Sequence, residues 1–216
     1  DFIFPEIDEW QKVKELLDTK VYGELNHLSV AWDFLSYDIK HGLASWKTDV
    51  KEGGGALAFY GSHTLYYVEY FSGRIRDSKG SFTYSDVSKN GAEVGVDLSC
   101  IFAGGAHGDI HISCNTPNKN THTLTFVCEK ATLVLESHEG VTEHFSLTEK
   151  TEVGSRMILV KNSNNKKNDE DERVRVVANL AERFIKGCIS SSQVVPSFKE
   201  GLRVQELIEE IKGSIV

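Results

Sequence analysis

Apolar residues recur at helical spacing near both ends of the chain and alternate with polar ones through its middle. Near the front, Trp10, Val13 and Leu17 form a stripe that predicts a helix over Pro5 to Asp18, with Asp8 and Gln11 placed as a capping pair and Gly23 beyond the end. A strand is expected from about Leu25 to Phe34, followed by a loop from Tyr37 to Val50. Leu65, Val68 and Phe71 then return at helical spacing among Tyr66, Tyr67 and Tyr70. Ser62 stands where an N-cap belongs, and Gly73 stops this helix.

Further on, Val94, Val96 and Leu98 alternate toward Phe102, Gly104 and Gly105 turn the chain, and Ile110, Ile112 and Cys114 return, which predicts a hairpin. More strands are expected at Thr123 to Glu129, Thr132 to Glu136, His144 to Thr148 and Met157 to Lys161, in an antiparallel meander. The polar tract Lys161 to Glu172 reads as a solvated loop. Val174, Val177, Leu180, Ala181, Phe184 and Ile185 make one apolar helix face, ended by Gly187. Leu202, Leu207, Ile208 and Ile211 make another after the break at Pro196. One layer of helices covers such a sheet on one face only, an α+β arrangement. The other face must meet water, a subunit or a second domain, and a dimer or higher assembly through it is expected.

Composition narrows the possibilities. With 216 residues, 40% hydrophobic and 26% charged, the chain is long enough to bury a sizeable core, and residues 1–216 are read as one domain. The net charge of −8 and the lack of a basic cluster with interleaved aromatics argue against nucleic acid as a partner. No apolar run approaches the length of a membrane span, and the sequence starts at Asp1 with no charged-then-apolar leader, so it reads as a cytoplasmic chain cut at its front. Cys100, Cys114, Cys128 and Cys188 lie far apart without a CxxC pair, and neither a disulfide nor a metal site is assigned to them.

The candidate chemistry centres on Gly53 to Gly73, where three consecutive glycines precede a helix bearing His63. Residues without Cβ permit close backbone approach and positive φ, a mark of a crowded or sharply turned site. At the first turn of a helix, the macrodipole disfavours protonation of His63 and leaves it a proton acceptor near neutral pH. The alternative is a histidine that packs and hydrogen-bonds a neighbour. Lys47 either directs its ammonium at a substrate or is a solvated loop lysine; Trp46 either stacks on a ring or covers the sheet edge. His107, Asp109 and His111 share one face of a strand, a conceivable metal trio, although with Ile110 and Ile112 buried they read more simply as its outer face.

These residues carry a resemblance. Phe4-Pro5-Glu6-Ile7 and the helix leading to Gly23, Trp46-Lys47 ahead of Gly53-Gly54-Gly55, Gly61-Ser62-His63, Phe102 to Gly108, and Gly201-Leu202-Arg203 with the final helix follow one another as in a known domain. In order and spacing they resemble the C-terminal domain of the Gfo/Idh/MocA oxidoreductases, the family of glucose-fructose oxidoreductase and inositol dehydrogenase. The resemblance implies a large, mostly antiparallel open-faced sheet with helices on one face, whose other face commonly serves subunit association. It also implies hydride exchange between NAD or NADP and a secondary alcohol or ketone of a sugar, cyclitol or nucleotide sugar. His63 would act on the substrate hydroxyl proton, with Lys47, Trp46, Tyr60 and Tyr37 as substrate-binding candidates.

Two departures from the family pattern stand out. Relatives often carry Asp four residues before the histidine, where this chain has Phe59, so a carboxylate partner for the imidazole is replaced by a ring. No strand–GxGxxG–helix unit is present in the sequence, so the Rossmann domain and most cofactor contacts are expected outside this chain. The resemblance therefore implies a substrate-binding and oligomerising part of a longer enzyme, inactive alone. The alternatives are a non-catalytic sugar-binding or assembly module on the same scaffold, or an NAD-dependent glycosidase relative.

Overall fold

Eight strands make one sheet in the order β2-β3-β4-β1-β5-β6-β7-β8, with β1 (Leu25–Leu35), β2 (Ile75–Thr83), β3 (Gly95–Phe102), β4 (His107–Ser113), β5 (Asn115–Cys128), β6 (Thr132–Ser137), β7 (Ser146–Thr151) and β8 (Gly154–Met157). This is a computed structural model and describes residues 2–86, 88, 91–160 and 171–214. Every strand pair is antiparallel except β1 and β4, which run parallel with His27 opposite His107 and Asp33 opposite Ser113. The expected meander is thus interrupted. β1 lies between β4 and β5, and the chain passes from one to the other around the end of β1, where the register shifts from Leu35↔Asn115 to Phe34↔Asn120. That detour places Asn118, Lys119 and Asn120 beside the end of β1.

Alternation explains the two faces. Leu28, Val30 and Trp32 of β1, Val96, Leu98 and Cys100 of β3, Ile110 and Ile112 of β4, and His122, Leu124 and Phe126 of β5 point into the core. Ser29, Ala31 and Asp33 point the other way, and the register sets them beside Asp109, His111, Thr123 and Thr125. The helices α1 (Asp8–Asp18), α3 (Ser62–Ser72) and α5 (Phe198–Ser214) pack on the apolar side, α1 against β6 and β7, α3 against β1 and α5, and α5 against β2. The structure is therefore α+β with an open-faced, mostly antiparallel sheet and helices on one face, as the sequence led one to expect.

Several local expectations change. Phe4–Glu6 forms a separate 3-10 turn, and α1 starts after Ile7 without a side-chain cap, because Gln11 donates to the Pro5 carbonyl at 3.1 Å instead of closing a box with Asp8. A short helix, α2 (Tyr37–Lys40), occurs in the expected loop, capped by Ser36. β2 was not foreseen: it is an edge strand whose side chains are mostly exposed, so it carries no apolar alternation and is held by backbone pairing to β3. β7 starts two residues later than expected, and β8 ends at Met157 where a strand was expected to begin, because a tight hairpin pairs Thr151 with Gly154. The loop expected over Lys161 to Glu172 lies, up to residue 170, outside the described residues. In α4 (Arg173–Ser190) only Val176 and Gly187 are buried, so the apolar face running from Val177 to Ile185 is largely exposed.

Candidate active site

The glycine triplet is a packing device that brings two segments together. A Cβ on Gly54 would collide with the carbonyl oxygen of Trp46, and one on Gly55, which has φ +124°, would collide with the carboxylate of Glu93. That carboxylate, itself buried, accepts from the Leu57 backbone N–H at 3.0 Å and so caps the helix that follows. The helical run therefore opens before Ser62. A π-helical turn over Leu57–Gly61 leads without a break into α3, and the Ser62 hydroxyl donates back to the Phe59 carbonyl at 2.8 Å rather than capping. Such π-turns inside helices are frequent at functional sites.

His63 is thus in the second turn of a continuous helix, away from its free N-terminus. It is held neutral all the same, and the cause is burial: its pKa is lowered to about 4. The ring meets Phe2 and Phe4 edge-on at centroid distances of 6.0 and 5.9 Å. Its Nδ1 is buried without a hydrogen-bond partner, which leaves Nε2 as the nitrogen available to a ligand. Behind it, His122 stacks on Trp32 at 4.5 Å and shares a hydrogen bond with the Tyr67 hydroxyl at 2.9 Å, which in turn meets Thr64 Oγ1 at 3.0 Å. Burial lowers the His122 pKa to about 3, with the nearby His63 adding to the effect.

His63 opens onto a cavity of about 1090 Å³. Phe4, Trp32, Phe34, Phe59 and Tyr60 supply its aromatic wall, and Ser36, Tyr37, Asn118 and Asn120 supply hydroxyl and amide groups. Of the residues singled out from the sequence, His63, Tyr60 and Tyr37 line this one cavity. Lys47 and Trp46 stand behind Phe59: the Lys47 ammonium lies 4.5 Å from the Phe59 ring centroid and 3.8 Å from Asp38, and Trp46 meets Phe59 edge-on at 5.4 Å. Phe59, in the place of the family carboxylate, thereby separates Lys47 from the cavity. Burial raises the Tyr60 phenol pKa, so that group remains a hydrogen-bond donor at neutral pH.

Sequence reasoning missed Trp32, Lys40, Asn118, Lys119, Asn120 and Arg173, which also line the cavity. Lys119 and the two asparagines owe their place to the crossing of β5 around β1, a non-local pairing that no local pattern announces. The residues fit the nicotinamide end of a dinucleotide, for which flat aromatic surface is available; no glycine-rich strand-to-helix turn for its pyrophosphate occurs among the described residues.

The His107, Asp109 and His111 trio divides among other partners. Asp109 is bound by Ser99 at 2.8 Å and His27 at 3.2 Å, while His111 spans Asp97 and Asp33, so the three do not converge. Among the described residues, no three His, Cys, Asp or Glu side chains are grouped to hold a metal ion, and no helix is long and apolar enough to cross a membrane.

Comparison with known proteins agrees with this architecture. The family profile of the GFO/IDH/MocA C-terminal domain matches residues 10–134. The chain belongs to the Gfo/Idh/MocA family. An uncharacterized oxidoreductase of Synechocystis sp. is 28% identical over 148 residues, covering 63% of this chain and 40% of the relative. A putative NADPH-dependent oxidoreductase from Desulfitobacterium hafniense has a similar fold, with a TM-score of 0.83 at 14% identity over 100% of this chain and 61% of its own. Levoglucosan dehydrogenase in complex with NADH and levoglucosan gives 0.81 at 16% identity, over 99% of this chain and 62% of its own. This Gfo/Idh/MocA chain therefore spans 40% to 62% of the length of these proteins.

Proposed function

We propose that residues 1–216 form the substrate-binding domain of an NAD(P)-dependent oxidoreductase acting on a secondary alcohol or ketone of a sugar-like molecule. The observation that carries this reading is the neutral imidazole of His63, its Nδ1 sealed, in the wall of an aromatic cavity fringed with hydroxyls and amides. A bound nicotinamide supplies the hydride acceptor or donor. In the oxidising direction Nε2 of His63 would take the hydroxyl proton while the carbinol gives its hydride to the nicotinamide and becomes a carbonyl; in reduction His63 would return that proton to the oxygen. Positioned proton acceptors of this kind contribute roughly 10²- to 10⁴-fold in rate. Tyr60 and Tyr37 orient the substrate oxygen, and Trp32 offers a ring face to the sugar.

The open sheet face, with its serines, threonines and aspartates, is the surface we propose for association into a dimer or larger assembly. The cytoplasm is the location consistent with four free cysteines. Titration of the full-length protein with NADH and NADPH, followed by turnover on a panel of sugars, tests the reading; binding of neither cofactor would overturn it. A second reading, a sugar-binding or assembly module without catalysis, is favoured by Phe59 and by the diversion of Lys47 onto its ring. It predicts sugar binding without turnover.

A further inference from the structure

The charge of the cavity wall departs from that of the chain. The sequence has 32 acidic residues against 24 Lys and Arg, yet the lining includes Lys40, Lys119 and Arg173 and not one aspartate or glutamate. Two of these cations are partly neutralised from behind. Lys119 donates to Asp33 at 2.7 Å, and Arg173 to Asp171 at 2.6 Å. Lys40, at the end of α2, is exposed and has no ion-pair partner among the described residues. A lysine left unpaired beside an apolar wall supplies a net positive potential to whatever enters, since the low-dielectric walls focus its field.

The chemistry of His63 points the same way. An imidazole made weakly basic by burial accepts a proton more readily once a negative charge sits nearby, because an anion favours the charged form. From these two features we infer that the cavity takes an anionic sugar, one bearing a carboxylate or a phosphate, with Lys40 as the principal counter-charge and Asn118 and Asn120 serving its hydroxyls. This inference rests on the proposed function for the identity of the site, and it goes beyond it in naming the charge of the substrate.

The test is calorimetric titration of the full-length, cofactor-saturated protein with D-glucose, D-glucuronate, D-gluconate and glucose 6-phosphate. At least one anionic member is expected to bind ten-fold or more tightly than glucose, the carboxylates and the phosphate revealing which anion is taken. Lys40→Gln should remove most of that preference, Lys40→Arg should retain it, and neither should shift Tm, because Lys40 is exposed and has no ion-pair partner among the described residues. Equal or tighter binding of glucose, binding of no anionic member at millimolar concentration, or an unchanged preference in Lys40→Gln would each overturn the inference. So would a Lys40→Gln defect confined to NADH or NADPH affinity, since the cations would then serve the cofactor's phosphates. The two ideas fail separately. Anion preference without cofactor-linked turnover leaves this inference standing and sinks the oxidoreductase reading, whereas turnover of neutral sugars alone does the reverse.

Discussion

His122 and His111 lie on the strands flanking β1, one opposite Trp32 and the other opposite Ala31, and this single step along β1 sends them to opposite faces of the sheet. Under the helices, His122 is enclosed by Trp32, Phe4, Trp10 and Phe145, and burial keeps it neutral with a pKa of about 3. On the open face, His111 bonds Asp97 at 2.6 Å and Asp33 at 3.3 Å; partial burial opposes protonation, but these carboxylates outweigh it and raise its pKa. The covered face excludes charge and the open face organises it. His63 belongs with the first group, which makes it a neutral proton acceptor rather than a standing cation.

Opening the covered face beside His122 has the largest expected effect. Trp32→Ala deletes the ring stacked on His122 and should cost ~3–5 kcal/mol in urea unfolding. Water admitted by the change should also raise the His122 pKa toward its ordinary value, read by NMR titration. A small cost with an unmoved pKa would show that Trp32 is not what isolates this histidine.

Acid should then expose the penalty of burying neutral imidazoles. The unfolded chain binds protons at these histidines near pH 6.5, whereas folded His63 and His122 resist protonation down to pH about 4 and about 3. Stability is therefore lost as pH falls below 6.5, by about 1.4 kcal/mol per pH unit for each histidine. His122→Leu should flatten that slope by one histidine's share, and an unchanged slope between pH 6.5 and 4.5 would contradict the assignment.

The smallest effect belongs to the open face, and its sign is opposite. A raised folded pKa makes His111 stabilising below about pH 6.5, a contribution lost as pH rises through the folded value. Because the side chain is 44% exposed, screening holds the effect within about 1 kcal/mol. His111→Ala should separate from the parent at low pH and converge with it at high pH; separation that grows with pH would refute the pairing.

The legible and illegible parts of this molecule differ in range. Period-two alternation marked the hairpin of β3 and β4, and the Trp10 and Val13 stripe marked α1, because those signals are local. The insertion of β1 between β4 and β5 left no such trace, and with it went Asn118, Lys119 and Asn120. His63 was found through its neighbours in sequence, yet the reason for its neutrality was misplaced, since the π-turn that moves the helix start upstream depends on Glu93, more than thirty residues away. The apolar face of α4 was read from periodicity alone, which identifies amphipathicity without saying what covers it.

The measurement closest to the central claim is the steady-state comparison of full-length parent and His63→Ala with NADH or NADPH and a turned-over sugar. Loss of the imidazole proposed to accept the hydroxyl proton should lower kcat by roughly 10²- to 10⁴-fold, with cofactor affinity unchanged. Retention of the parental kcat would contradict the account and return His63 to a packing role.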